Sequence, residues 1–471
     1  MNDQSNKPTI LTTLDRLLGI FAKVHAREGV TSLLLLLNIF LILLAYYFIK
    51  PVREGWLSVS VISGLSKIEI KAYSAFGQSL LLLAVLPLYS KLAASYPRRK
   101  LITVTGIICA FTLVVFWLLQ PGLLTSAIPF SGVMFYIFVG LFSVTLIAQF
   151  WSFASDLFGQ EKGRRLFPLI AVGASLGALV GSWLGERLIR TQWLDSFDLI
   201  LLALVPLGCA LCLTSWIDQR GTLGQPSEAT LQRWREPAAP EGHGAFKTIF
   251  ESRYLLATSG MILLFSWIVA SGDNILFGMI QEVISADLVA ITNPEELSQA
   301  VKTATTAFYS DLYFWINLIG LLLQAFIVSR LIQFGGFSLL VLVTPLISLV
   351  AYFSMAIAPV LGIIKFMKIA ENSSNYSINN TARHMLWLPT TKAMLYQAKA
   401  TVDTLFVRIG DGLAALTVLL GTRVWSFSLI DFLIINIVLS LIWIGFAIYL
   451  SREYRRMNRE NQARAIPLTT S

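Results

Sequence analysis

Runs of about twenty apolar residues recur along the whole chain, and they restrict its fold more than any other feature. A run of that length lets a helix cross a lipid bilayer. Because 56% of the 471 residues are hydrophobic and only 13% are charged, a soluble fold would expose large apolar patches. The sequence therefore predicts an all-α, polytopic membrane protein.

The apolar runs predict about 12 transmembrane helices. They lie near residues 30–50, 71–93, 101–119, 131–157, 167–187, 198–216, 253–280, 309–331, 337–357, 360–386, 400–421 and 427–450. A stretch at 217–252 that is rich in Pro, Gly and charge predicts a cytoplasmic linker between two six-helix halves, 30–216 and 253–450. The remaining predicted segments are a cytoplasmic N-terminal segment at 1–29, an external loop at 285–308 and a cytoplasmic tail at 451–471.

Lys and Arg are concentrated in alternate loops and in both terminal segments, and the opposite loops carry few of them. By the positive-inside rule, both termini are predicted to be cytoplasmic, in a bacterial inner membrane. Two six-helix repeats around a midplane site form the layout of major-facilitator-type secondary transporters. The net charge of +9 is spread over loops and tails, so we expect no nucleic-acid partner.

The segment from 361 to 421 combines apolar helices with many charges. The charged residues are Lys365, Lys368, Glu371, Arg383, Lys399, Asp403, Arg408 and Asp411. A charge at bilayer depth costs several kcal/mol unless it faces water or a partner. The segment therefore predicts a hydrated pathway for a charged solute.

Within this segment, cationic and amide side chains recur every three or four residues, which places them on one helical face. They are Lys365, Lys368, Asn372, Asn375, Asn379 and Arg383. The cations suit an anion, the amides add donors and acceptors without charge, and Tyr376 is available to stack on a ring. The alternative is a solvated amphipathic helix outside the membrane.

Oppositely charged residues at helical spacing predict ion pairs that gate or reset the pathway. Lys399 and Asp403 are four residues apart, and Arg408 and Asp411 are three apart. A cytoplasmic turn is expected between two helices at Asp156 and Arg165, with an Asp–Arg gating pair or direct substrate contact as its role. Asp273 is interpreted as a cavity wall or coupling group, or as an external helix end.

The sequence lacks the motifs of nucleotide-hydrolysing, catalytic and metal-binding sites. No GxxxxGK[ST] loop occurs, so ATP hydrolysis is not expected to drive the protein. No catalytic constellation or complete metal-ligand set is found, and we expect no enzyme activity, no metal and no cofactor. The predicted partners are a small anionic solute and the lipid bilayer, and the protein is expected to be a monomer.

Pro51 is predicted to end the first helix and to leave Lys50 on its last turn, where a cation suits the helix C-terminus. The alternative is a lysine that snorkels to the interface. The surrounding block Tyr46–Glu54 resembles the bacterial and plastid-type ATP:ADP antiporter family. Further blocks that resemble this family lie at 150–156, 165–170, 388–403 and 408–410.

The resemblance implies twelve helices with a distant major-facilitator fold, and exchange of nucleotides across a membrane. It implies that Lys50 and Lys399 handle substrate, and Arg53 is a further candidate in the first block. No acid occurs at 139–149, where the family has one, and Asp156 lies lower. A proton- or sodium-coupled carrier of another organic anion is therefore an alternative, and a membrane enzyme or assembly factor is a second one.

Overall fold

Helices make up nearly all of the chain that the computed structural model describes, which is residues 28–95, 98–121, 123, 128, 130–221 and 243–465. The predicted segments 1–29, 217–252 and 451–471 lie partly outside these residues. The α-helices are α1 (Gly29–Val59), α2 (Lys67–Ser95), α3 (Arg98–Leu118), α4 (Ser131–Arg190), α5 (Asp198–Gly221), α6 (His243–Glu251), α7 (Arg253–Asp287), α8 (Pro294–Leu322), α9 (Val328–Ile357), α10 (Leu361–Ser374), α11 (Asn380–Met385), α12 (Lys392–Thr401), α13 (Val407–Arg423) and α14 (Leu429–Ala465).

The twelve predicted membrane crossings are confirmed. Ten helical segments of the described residues are long and apolar enough to cross a membrane, and one of them covers 64 residues, Pro294–Ile357. Gly336 bends that segment with a left-handed φ of 60°, and its two arms match the predicted spans at 309–331 and 337–357. The helical stretch from Leu361 to Met385 supplies the crossing that is too polar for hydropathy to identify.

Three predicted breaks in helices are wrong. Helix α1 continues through Pro51 to Val59. Helix α4 continues through Asp156 and Arg165, where the sequence predicts a turn. The predicted external loop at 285–308 is helical except at 288–293. Its helix beginning at Pro294 agrees with the surface-helix start that residues 293–296 indicate in the sequence. Proline is tolerated inside membrane helices, as at Pro51, because neighbouring groups satisfy the backbone that it disturbs. The polar stretch of α4 lies between the two candidate membrane spans Ser131–Phe158 and Arg165–Arg190.

The start of α8 shows why its sequence is helical. The Asn293 side chain accepts a hydrogen bond from the backbone N–H of Glu295, and Pro294 occupies the first helical position. Glu295 and Glu296 place negative charge in the first turn, where the helix dipole favours it. These signals begin the helix fifteen residues before the predicted span.

Three π-helical segments interrupt the C-terminal helices, at Leu323–Ile327, Asn375–Asn379 and Val402–Phe406. Each π turn inserts an extra residue and rotates the side chains that follow it. Two of these segments contain predicted site residues: Asn375, Tyr376 and Asn379 in one, and Asp403 in the other. Helical spacing alone therefore misplaces the faces of these side chains.

The chain divides into two compact units. Unit 1 consists of residues 1–53, 89–131 and 138–236, and unit 2 of residues 54–88, 132–137 and 237–471. Unit 2 takes residues from both predicted halves, so the division into 30–216 and 253–450 stays a prediction.

In unit 1, glycines of α4 pack directly on the backbone of α1. A Cβ at Gly173 would lie 2.3 Å from the Leu36 carbonyl oxygen, and one at Gly177 would lie 2.2 Å from that of Phe40. Gly181 approaches Leu44 in the same way. Small residues four apart allow this close approach in lipid, where dispersion contacts drive helix association.

Candidate substrate site

In unit 2, Asp403 holds two cations at once. Its Oδ1 lies 3.2 Å from Arg383 Nη2, and its Oδ2 accepts a hydrogen bond of 2.6 Å from Lys399 Nζ. The three side chains are 24%, 29% and 34% exposed for Arg383, Asp403 and Lys399. The cluster therefore carries one net positive charge that is within reach of a solute.

Aromatic rings support both cations of this cluster, which we call the Asp403 cluster (Arg383, Lys399 and Asp403). Lys399 Nζ lies 5.2 Å from the centre of the Trp387 ring, and the Arg383 guanidinium lies 5.4 Å from that of Phe265. A cation over a ring face gains about 0.5–2 kcal/mol. The rings therefore stabilise the positions of both cations in addition to the contacts with Asp403.

The two lysines of the predicted cationic stripe are each bound to an acid. Lys365 pairs with Asp311 of α8. Lys368 is only 1% exposed, and its Nζ lies 2.6 Å from Glu371 Oε2 and 3.4 Å from Asp273 Oδ1. Asp273 lies in the middle of α7, so its interpretation as an external helix end is wrong.

The amides of the stripe face the interior of unit 2. Asn372, Asn375 and Asn379 are buried, whereas Tyr376 is 49% exposed. Tyr376 follows Asn375 directly, and neighbouring residues of a helix point in different directions, so the two side chains have different environments. The single open polar face that the spacing predicts is therefore closed along its middle in this structure.

Arg408 and Asp411 make contact as their spacing suggests, and they also bind α2 and α7. Arg408 Nη1 donates a 2.9 Å hydrogen bond to Asp411 Oδ2. Ser79 of α2 donates to Asp411 Oδ2 at 2.5 Å, and Ser266 of α7 donates to its Oδ1 at 2.8 Å. The pair thus joins three helices within unit 2.

The other predicted site residues lie in unit 1. Lys50 is 7% exposed, and its Nζ lies 4.9 Å from the centre of the Tyr47 ring, so it does not snorkel to an interface. Arg53 is half-buried, and Asp156 is exposed on the unbroken α4 helix. Arg165 makes a two-pronged contact with Glu28, with both N–O distances at 3.2 Å.

The family is decided by a sequence match over most of the chain. The sequence profile described as TLC ATP/ADP transporter matches residues 120–454. The chain belongs to the TLC ATP/ADP transporter family. The resemblance found in the sequence blocks is thereby confirmed.

The chain is distantly similar to ADP,ATP carrier proteins of two bacteria. It is 22% identical to ADP,ATP carrier protein 1 of Chlamydia pneumoniae over 339 residues, which cover 64% of this chain and 62% of that protein. It is 22% identical to ADP,ATP carrier protein 3 of Rickettsia typhi over 403 residues, which cover 78% and 75% of the two chains. The match therefore spans just under two thirds of the chlamydial relative.

Among solved structures, the TLC transporter is similar to a point mutant of the nucleoside transporter NupG. The TM-score is 0.55 at 14% identity, and the match covers 91% of this chain and 99% of NupG. The likeness confirms the predicted all-α, major-facilitator-like fold.

Sequence reasoning missed several ionic contacts of the TLC transporter. Glu54 and Lys71 form a buried ion pair of 2.5 Å, and Glu69 Oε1 accepts a 2.7 Å hydrogen bond from Arg423 Nε. The sequence prediction places Lys71 only at the edge of a span. The sequence did offer one signal for the partner of Lys365. Asp311 is an acid in an apolar run, and such an acid indicates a cationic partner or access to water.

Proposed function

We propose that this protein exchanges ATP and ADP across the bacterial inner membrane by alternating access. The Asp403 cluster is the observation that carries the proposal. One carboxylate pairs with two cations that are a quarter to a third exposed, so one positive charge remains for an anion. Lys399 and Asp403 lie in a block that resembles the antiporter family. A phosphate group replaces Asp403 as the partner of the two cations, because Arg and Lys bind phosphate and carboxylate oxygens by the same charge-assisted hydrogen bonds.

In the proposed transport cycle, Lys399 and Arg383 alternate between two partners, the substrate phosphates and Asp403. When substrate is bound, Lys399 and Arg383 hold its phosphates, and when it leaves, Asp403 takes both cations back. The resting state then keeps both cations of the cluster paired, which lowers the cost of changing conformation without substrate.

A further substrate contact within unit 2 is assigned to Lys365, whose side chain is 32% exposed. The substrate roles of Lys50 and Arg53, which belong to unit 1, stay predictions. Lys368 is not retained among the substrate contacts, because it is enclosed and bound to Glu371. Both termini are assigned to the cytoplasm from the distribution of Lys and Arg, and the transporter is assigned as a monomer.

The test is uptake of labelled ATP into proteoliposomes that contain ADP. Removing a charge-assisted hydrogen bond costs about 1.5–3 kcal/mol, so Lys399→Gln or Arg383→Gln should weaken apparent ATP affinity about tenfold or more. Lys247→Gln is the matched control, because Lys247 is 74% exposed on α6.

Asp403→Asn separates a binding role from a structural one. The variant removes the carboxylate that competes with phosphate, so apparent ATP affinity should increase while turnover falls. An unchanged KM in all three cluster variants would exclude this site, and the absence of saturable exchange with ATP or ADP would exclude the function.

A further inference from the structure

Glu371 is a carboxylate enclosed entirely within unit 2. It is 0% exposed and lies on α10. Its Oε2 accepts a 2.6 Å hydrogen bond from Lys368 Nζ, and its Oε1 accepts one of 2.6 Å from the hydroxyl of Tyr352, which is also fully buried. Ser348 donates a longer bond of 3.5 Å to Oε1.

One cation is shared here between two acids. Lys368 Nζ lies between Glu371 and Asp273 of α7, so the described ionisable groups at the site carry one net negative charge. Helix α9 contributes Tyr352 and Ser348, and α14 contributes the uncharged Asn436. Asp311 of the neighbouring α8 is engaged by Lys365. Because Lys368 and Glu371 form a closely spaced pair, the excess charge lies on Asp273, whose exposed side chain allows a proton from water to cancel it.

The hydrogen bonds around Tyr352 are arranged for two protonation states. With Glu371 ionised, the Tyr352 hydroxyl donates to it. With Glu371 protonated, the carboxylic acid donates to the Tyr352 oxygen, and the hydroxyl hydrogen needs another acceptor. Asn436 is fully buried beside Tyr352, and its Oδ1 has no hydrogen-bond partner among the described residues. The carbonyl oxygen of Ile268 lies 3.3 Å from the same hydroxyl.

A short route joins Glu371 to water. The Asp273 side chain is 48% exposed, and Lys368 Nζ stands 3.4 Å from it and 2.6 Å from Glu371. Gly272 permits this approach, because a Cβ there would lie 2.0 Å from the Tyr352 hydroxyl and 3.0 Å from Lys368 Nζ. When Asp273 is protonated from solvent, Lys368 gives one proton to Glu371 Oε2 and takes the proton of Asp273. A half-turn of the carboxyl group then turns the new O–H toward Tyr352 and the unprotonated oxygen toward Lys368. The lysine is left charged and Asp273 ionised, so charge and atoms balance.

We propose that Glu371 is a proton-binding site and that the transporter carries this proton with its anionic substrate. The coupling rests on the proposed transport function, whereas proton binding does not. A sodium ion does not fit, because both Glu371 oxygens already accept hydrogen bonds and the Lys368 ammonium lies 2.6 Å from one of them. One proton offsets the one charge by which ATP exceeds ADP, so the exchange becomes electroneutral.

Infrared difference spectra of the purified protein in lipid, between alkaline and acidic buffer, test proton binding without any substrate. We expect a protonated-carboxyl C=O band that is lost in Glu371→Gln. The double variant Glu54→Gln, Lys71→Met is the matched control, because it removes another buried Glu–Lys pair and should keep the band. Should Glu371→Gln not fold, Tyr352→Phe serves instead, and it should shift the band because the acid loses its hydrogen-bond partner. A wild-type spectrum without the band, or a band unchanged in these variants, overturns the proposal.

Coupling is tested in proteoliposomes that contain ADP and a pH-sensitive dye. Addition of ATP should acidify the interior, and Glu371→Gln should abolish this proton flux. Wild-type exchange without proton movement, or exchange driven by a sodium gradient at constant pH, overturns the coupling while the nucleotide function stands. An infrared band without any nucleotide exchange supports the proton site and overturns the nucleotide function instead.

Discussion

The buried ion pair between Glu54 and Lys71 gives the sharpest stability prediction. Their side chains are 1% and 4% exposed, and the charged atoms are 2.5 Å apart. At that distance the Coulomb attraction is about 7 kcal/mol for an effective dielectric constant of about 20. Much of it offsets the cost of removing both ions from water, so the pair itself adds little net stability.

Removing one partner has a much larger effect than removing both. Lys71→Met leaves Glu54 buried without this cation and should lower the free energy of unfolding by about 3–5 kcal/mol. Glu54→Gln should lower it by a similar amount. The double variant Glu54→Gln, Lys71→Met places two neutral side chains of similar volume at these positions. Its free energy of unfolding should be within about 2 kcal/mol of that of the wild type. The remaining loss comes from the contact of Lys71 Nζ with the Tyr136 ring, whose centre is 4.4 Å away.

The assay is denaturant or thermal unfolding of all four proteins in the same detergent, analysed as a double-mutant cycle. We expect a coupling energy of at least about 2 kcal/mol, with the double variant more stable than either single variant. Additive losses, or single variants as stable as the wild type, would refute the reasoning that the loss of one member of this buried pair costs more stability than the loss of both.

Two further predictions concern the packing of α4 and the start of α8. Gly177→Ala should destabilise unit 1 by about 1–3 kcal/mol in thermal unfolding, because the new Cβ would lie 2.2 Å from the Phe40 carbonyl oxygen. The control is Gly208→Ala, which should be neutral or stabilising because a Cβ there has no atom within 4 Å. Equal effects of the two substitutions would contradict the packing argument. Asn293→Ala removes the side-chain cap of α8 and should lower the stability of that helix by about 1 kcal/mol. Hydrogen exchange in the first turn of α8 should become faster, measured against the amides of α9 as the internal reference. Unchanged exchange would show that the cap contributes nothing.

Ion pairs between residues close in sequence could be predicted from spacing. Lys399 with Asp403, and Arg408 with Asp411, lie on one helical face in the sequence and touch in the structure. Their further partners could not be predicted in this way. Arg383 lies 20 residues from Asp403, and Ser79 lies 332 residues from Asp411.

Helix ends were the weakest part of the prediction for a physical reason. Pro51 and the polar stretch from Asp156 to Arg165 are typical of breaks in soluble helices, yet α1 and α4 continue through them. At Pro51, inside the span Gly29–Val59, water is not available to bond with freed backbone groups, so the continuous helix is favoured.

The sequence by itself determined that the chain spans a membrane about twelve times and which family it belongs to. Both properties depend on local composition and short blocks, because the transfer of a helix into lipid sums over its own residues. Only the tertiary structure decided the state of each charge. Lys368 and Lys399 look alike in the sequence, but one is enclosed between Glu371 and Asp273 and the other is a third exposed beside Asp403. The energy of a charge in a membrane protein depends on its nearest partner and its access to water, and distant segments of the chain supply both.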